Sequence, residues 1–142
     1  MRLVRLVYAS TFLSDTVSAS QLKKIHEVSV PNNSENEISG MLVFGNDYFL
    51  QCLEGGRESV NRLYEKISKD DRHVRALILS YEECHVRNFS KWNMKFLMLT
   101  EEQKELIRKY SISGIFNPYN MSGESCIHLL SELSNKYGTD EV

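Results

Sequence analysis

The run "ISGMLVFGNDYFLQCLEGG", residues 38–56, constrains the fold more than any other stretch of the chain. Two apolar segments, 38–44 and 48–54, flank Gly45, Asn46 and Asp47, turn-forming residues of the kind that close a β-hairpin. Period-2 alternation puts Phe49, Gln51 and Leu53 on one face of the second strand and Tyr48, Leu50 and Cys52 on the other. Gln51 is then an amide among apolar neighbours. A buried primary amide without a partner costs roughly 2–7 kcal/mol on transfer scales. Either its face is exposed, or something on that face supplies a donor and an acceptor side by side.

The segments around the hairpin complete a pattern. Residues 2–8 alternate, with Val4, Leu6 and Tyr8 on one face and Leu3, Arg5 and Val7 on the other, and predict a first strand. Ser18 with Gln21 reads as a capping box, followed by Leu22, Ile25 and Val28 at helical spacing until Pro31 stops the helix. After the hairpin, Val60, Leu63, Tyr64 and Ile67 recur at i, i+3, i+4, i+7 and predict an amphipathic helix. "VRALILSYEE" is a strand apolar enough to be central in a sheet. "WNMKFLML" is a further strand, with Trp92, Met94, Phe96 and Met98 on one face.

This order, βαββαβ with one extra strand, predicts an α+β fold of the ferredoxin-like type, with two helices on one sheet face. Thr100 with Gln103 and then Ser122 mark the starts of two tail helices. The second carries an apolar stripe of Cys126, Leu129, Leu130 and Leu133. These C-terminal helices are expected to cover the other sheet face. The division expected is a ligand-binding domain over 1–99 and a helical extension packed on the sheet over 100–142.

Composition excludes several classes of function. A net charge of −2 and a pI near 6.1 give no general attraction to nucleic acid or to anionic membranes. No apolar run approaches the roughly 20 residues a membrane helix needs. Three isolated cysteines and no secretory leader favour reduced thiols and a cytoplasmic protein. The four histidines lack ligand spacing, so no metal site is expected. Two rival functions on this fold are weaker. A small phosphohydrolase-type enzyme wants a Gly- and Arg-bearing anion loop after the first strand, and "ASTFLSDTVSAS" has neither. An interaction module that binds RNA on its sheet wants basic-aromatic runs that are absent.

In a ferredoxin-like sheet the first and third strands are central neighbours, which brings Tyr8 close to Gln51. A phenol and an amide can exchange hydrogen bonds, and the phenol is also oxidisable. Each element has a plainer reading: a strand tyrosine packs, an Asn pair caps a turn, a strand-start Trp fills a core. The motifs taken together go further. "YAS" at 8–10, "NNSENEISGMLVF" at 32–44, "FLQCLEG" at 49–55, "DDRH" at 70–73 and "WNM" at 92–94 occur in this order and spacing. The chain resembles the BLUF family of flavin-using blue-light sensors across roughly its first 100 residues, and its tail resembles the helical extensions of short, single-domain members. It departs from the family pattern at Pro31, where several members carry a basic or polar residue.

The resemblance implies a photoreceptor, not an enzyme, that binds FAD non-covalently between the two helices. Tyr8 would be the electron and proton donor and Gln51 the bridge to the flavin. Asn33, with Asn32 beside it, would bond the ring carbonyls, and Ile25 and Ile67 would pack the ring. Lys66, Asp70 and His73 would line the pocket toward the ribityl and phosphate groups. Ser10, Trp92 and Met94 would lie near the Tyr–Gln pair. Light would drive transfer from Tyr8, and the rearranged Gln51 would mark the lit state by a changed hydrogen bond. Nothing within the 142 residues resembles an output domain, so the signal is expected to pass to a separate effector protein, with self-association of the chain. Removing 101–142 is expected to spare light absorption and abolish association.

Overall fold

The computed structural model describes residues 2–13, 33 and 35–137. Five strands form one sheet: β1 (Leu3–Phe12), β2 (Ser39–Gly45), β3 (Tyr48–Gly56), β4 (His73–Glu83) and β5 (Lys95–Met98). Their order is β4-β1-β3-β2-β5. The first four pair antiparallel, and β5 adds to the β2 edge in parallel. This is the ferredoxin-like sheet with its extra strand.

The hairpin closes as its residues require. Asn46 and Asp47 sit at φ 51° and 67°, both left-handed, the conformation a two-residue turn of type I′ needs. Short polar side chains tolerate that region best after glycine. Gly40 on β2 answers a different constraint. A Cβ there would lie 2.0 Å from the Cys52 carbonyl oxygen, so only glycine lets the two strands approach.

The two sheet faces carry separate cores. Val4, Leu6, Tyr8, Leu42, Phe49 and Leu53 share one face with helix α1 (Arg57–Ser68), which contributes Val60, Leu63, Tyr64 and Ile67. Val7, Met41, Val43, Leu50 and Cys52 share the other. That face is covered by the tail: a 3-10 turn (Glu101–Gln103), α2 (Lys104–Tyr110) and α3 (Gly123–Tyr137). Cys126, Leu129, Leu130 and Leu133 of α3 are fully buried against the sheet. Both caps form: Thr100 makes its capping box with Gln103, and the Ser122 hydroxyl accepts from the Ser125 N–H at 3.0 Å.

Three expectations are corrected. β4 is an edge strand rather than a central one, and Val74, Leu77, Ile78 and Tyr81 remain 42–51% exposed. Its apolar run reflects strand propensity, while the crossover from α1 delivers it to the free side of β1. The last strand is only four residues long, and Trp92 and Met94 precede it. They do not share a face: Trp92 packs on the tail-side core and Met94 on the α1-side core. The Trp92 N–H donates to the Phe89 carbonyl at 3.1 Å, so the chain turns there instead of running extended. Finally, Asn33 and Glu35 are helical, beyond the Pro31 at which the sequence pattern ends the helix. That stretch closes with Glu37 at φ 54° and the Ile38 N–H bonded to the Asn33 carbonyl at 2.8 Å, a Schellman closure. The helix expected from Ser18, with Gln21, Ile25 and Pro31, lies outside the described residues, as does Asn32.

Candidate functional site

The site begins with strand adjacency. β1 and β3 are neighbours in a register that sets Tyr8 directly opposite Gln51, so their side chains leave the sheet on the same face. The Tyr8 hydroxyl donates to Gln51 Oε1 at 2.5 Å, and both residues are buried. This bond orients the amide, turning Nε2 toward Met94 Sδ at 3.3 Å. A thioether is a weak acceptor, so the amide keeps donor capacity on that side.

Burial raises the pKa of Tyr8 above its ordinary value of 10.0, with smaller contributions from Tyr64 and Asp70. The Tyr64 ring stands edge-on at 5.4 Å. The fold therefore favours the neutral phenol. Its contribution to stability is fully present below pH 10.0, where the unfolded chain would ionise, and is lost as pH rises from there toward the folded value. We expect Tyr8 to stay protonated, and any reaction that uses its proton to keep full amplitude, up to pH about 10. The check is alkaline difference absorbance of the wild type against Tyr8→Phe. A tyrosinate signal that vanishes in Tyr8→Phe and titrates at or below the ordinary value would contradict this.

Tyr8 and Gln51 line a cavity of about 110 Å3. Its walls are apolar: Phe12 and Phe49 from the sheet, Leu42 from β2, and Leu63 and Ile67 from α1. Asn33 also lines it, nearly fully buried, and donates from Nδ2 to the Asn93 carbonyl at 3.2 Å. Beyond α1 the chain turns back, with the Asp70 N–H on the Ile67 carbonyl, and brings Asp70, Arg72 and His73 to the cavity. Asp70 accepts from the Arg72 backbone N–H at 2.9 Å and from its Nε at 2.8 Å. The Arg72 guanidinium holds the Asp70 carboxyl down at about 2. His73 Nε2 lies 2.5 Å from the Ile67 carbonyl, which only accepts, so that nitrogen carries the proton.

Of the residues singled out from sequence, Tyr8, Asn33, Gln51, Ile67, Asp70 and His73 therefore line one cavity. Lys66 lines an adjoining one, of about 210 Å3, with Arg62, Asn36 and Ser59; Asn33 and Leu63 border both. Ser10 is buried on β1 two residues beyond Tyr8, and among the described residues its Oγ is the buried side-chain oxygen without a hydrogen-bond partner. Trp92 lies across the sheet from the cavity, while Met94 touches Gln51. Ile25 and Asn32 lie outside the described residues. Sequence reasoning missed Arg72, although it stands between two residues that were named, and missed Phe12. The first strand runs to Phe12, beyond the end assigned from alternation. Among the described residues no group of His, Cys, Asp and Glu could hold a metal ion, and no helix is long and apolar enough to cross a membrane.

A cavity with apolar walls, lined also by a hydrogen-bonded amide and phenol, suits a heteroaromatic ring with donors and acceptors along an edge. Comparison with known proteins agrees. The family described as "BLUF: Sensors of blue-light using FAD" matches residues 3–95. The chain belongs to this family of flavin-binding blue-light sensors. It is 33% identical over 95 residues to photoactivated adenylate cyclase subunit alpha of Euglena gracilis, covering 66% of this chain and 9% of that protein. It is 32% identical over 106 residues to the blue light- and temperature-regulated antirepressor BluF of Escherichia coli (strain K12), covering 72% of this chain and 25% of that protein. The match thus spans only a small part of these curated relatives. Among solved structures, BlsA in its photo-activated state is similar over 92% of this chain and 94% of its own, with 32% identity and a TM-score of 0.84.

Proposed function

We propose that the flavin is FAD and that the Tyr8–Gln51 pair is the light switch. The observation that carries this is the buried 2.5 Å hydrogen bond from the Tyr8 hydroxyl to Gln51 Oε1, with both residues lining the apolar-walled cavity. Asn33, Ile67, Asp70 and His73, with Ile25 and Asn32, would hold the cofactor, and Lys66 would meet its phosphates. The larger cofactor is supported by the adjoining cavity, where Arg62 and Lys66 bring two cations suited to phosphate.

When bound, the flavin supplies blue-light absorption and an electron-accepting ring. Tyr8 gives up an electron, and its proton leaves along the short bond to Gln51. On their return the phenol is restored while Gln51 keeps a new arrangement. Such a change has two stable ends because a phenol can donate to the amide oxygen or accept from the amide nitrogen. Either orientation of Gln51 keeps a bond to Tyr8, and the barrier between them gives the switch its memory. Ser10, two residues beyond Tyr8 on β1, would respond to the change.

The signal then crosses the sheet. Met94 touches Gln51 on one side, and Trp92, two residues earlier, packs against the tail-side core on the other. A shift of Met94 is thereby felt by the 100–142 extension, which we propose as the contact surface for a separate effector protein or a second copy of the chain. The cofactor assignment is tested by denaturing the purified protein and weighing the released flavin. FAD is expected; FMN or riboflavin would overturn that assignment.

A further inference from the structure

Glu54 is a fully buried carboxylate on β3, three residues after Gln51 but on the opposite sheet face. A buried charge is costly unless it is paired and hydrogen-bonded. One partner is Arg5, its register neighbour on β1, whose Nε donates to Oε2 at 2.9 Å. Two others are backbone N–H groups outside the sheet: Asn88 donates to Oε2 at 2.7 Å and Phe89 to Oε1 at 2.9 Å. The Ser39 hydroxyl completes the set at 3.3 Å.

The neighbouring residues grip the same segment. Arg5 Nη2 donates to the Val86 carbonyl at 2.8 Å. Arg87 donates to Ser39 Oγ at 2.7 Å, to the Glu54 carbonyl at 3.1 Å and to the Glu37 carbonyl at 2.7 Å. Four consecutive residues, 86 to 89, are thus fixed around one carboxylate. From there the segment continues through short links. The Phe89 carbonyl accepts from the Trp92 N–H, the Trp92 carbonyl accepts from the Gly40 N–H at 3.2 Å, and Met94 follows with its sulfur on Gln51.

We propose that Glu54 is a positioning residue for the light switch, clamping residues 86–89 so that Met94 is held against the Gln51 amide. The proposal rests on the assignment of Tyr8 and Gln51 as the switch. Glu54→Gln keeps the volume of the side chain but sets an amide NH2 against one of the two backbone N–H donors, opening the clamp on one side. The flavin and the light-induced shift remain, because neither Tyr8 nor Gln51 is touched. Thermal recovery in the dark becomes faster by roughly three- to tenfold, the scale of coupling within one hydrogen-bond network. In a Met94→Leu background the same substitution has no further effect on the rate.

A residue that merely supports the fold would lower the melting temperature and leave recovery unchanged, or would act equally with and without Met94. Either result overturns the proposal. A second readout needs no light. Trp92 is the only tryptophan of the chain, so its fluorescence reports the segment directly. Glu54→Gln should make it more accessible to a soluble quencher, and unchanged quenching would also overturn the clamp. Should Glu54→Gln fail to fold, Arg87→Gln, which removes the outer contacts only, carries both tests with the same expected directions. A wild type without a light-induced shift would refute the switch assignment, and the Trp92 measurement would still decide the clamp.

Discussion

Gln51→Leu keeps its flavin and loses the light-induced red shift. Leucine matches the apolar walls that Leu42 and Phe49 already present, so the slot keeps its shape for a bound ring. What disappears is the acceptor of the Tyr8 hydroxyl and the donor turned toward Met94. A buried hydroxyl left unpaired costs about 1–3 kcal/mol, enough to lower the melting temperature by several degrees without unfolding a domain of this size. The optical change needs the amide itself, because leucine has no group that can exchange donor for acceptor. The measurement is a light-minus-dark absorption spectrum of the variant, with flavin content read from the dark spectrum. A normal photocycle in Gln51→Leu would remove the glutamine from the mechanism.

The second large effect concerns the tail. Deleting 101–142 uncovers Val7, Met41, Val43, Leu50 and Cys52 and removes Ile107, Phe116, Leu129, Leu130 and Leu133 from the same core. Burying each leucine-sized side chain stabilises by about 1.5–3 kcal/mol. Losing several of them is comparable to the whole 5–15 kcal/mol by which a domain is stable. The packing thus revises what the sequence alone leads one to expect, a truncated protein that absorbs light normally and merely stops associating. We expect the fragment to aggregate or melt at a much lower temperature, and to lose flavin as it does so. Thermal melting and size-exclusion chromatography check this. A stable, monomeric fragment with the native dark spectrum would show that the tail is dispensable to the fold.

Two residues of the site were legible in period-2 alternation, while the roles of Asn33, Ile67, Asp70 and His73 were legible only through the resemblance to a family. Tyr8 and Gln51 each stand on the apolar face of a strand, and the ferredoxin-like order makes those strands neighbours. The capping residues Thr100 and Ser122 were equally readable, since a cap is a local signal. What periodicity does not encode is a strand's place in the sheet, and so the apolar β4 reads as a central strand although it lies at the edge. Alternation also fails where the chain leaves the sheet: Trp92 and Met94 look like one face of a strand, yet a turn at Phe89–Trp92 sends them to opposite sides. The Glu54 clamp was invisible for a further reason. Its partners lie 15, 34, 35 and 49 residues away in sequence, and nothing near Glu54 marks it as buried.

We propose Tyr8 and Gln51 as a light-driven hydrogen-bond switch beside a bound flavin. The most direct test is the visible absorption spectrum of the purified protein, taken in darkness, again under blue light, and once more after return to darkness. A flavin spectrum that moves slightly to the red under light and recovers in the dark is the predicted result. A flavin band that bleaches instead, or a protein that takes up no flavin even when FAD is supplied, would contradict it.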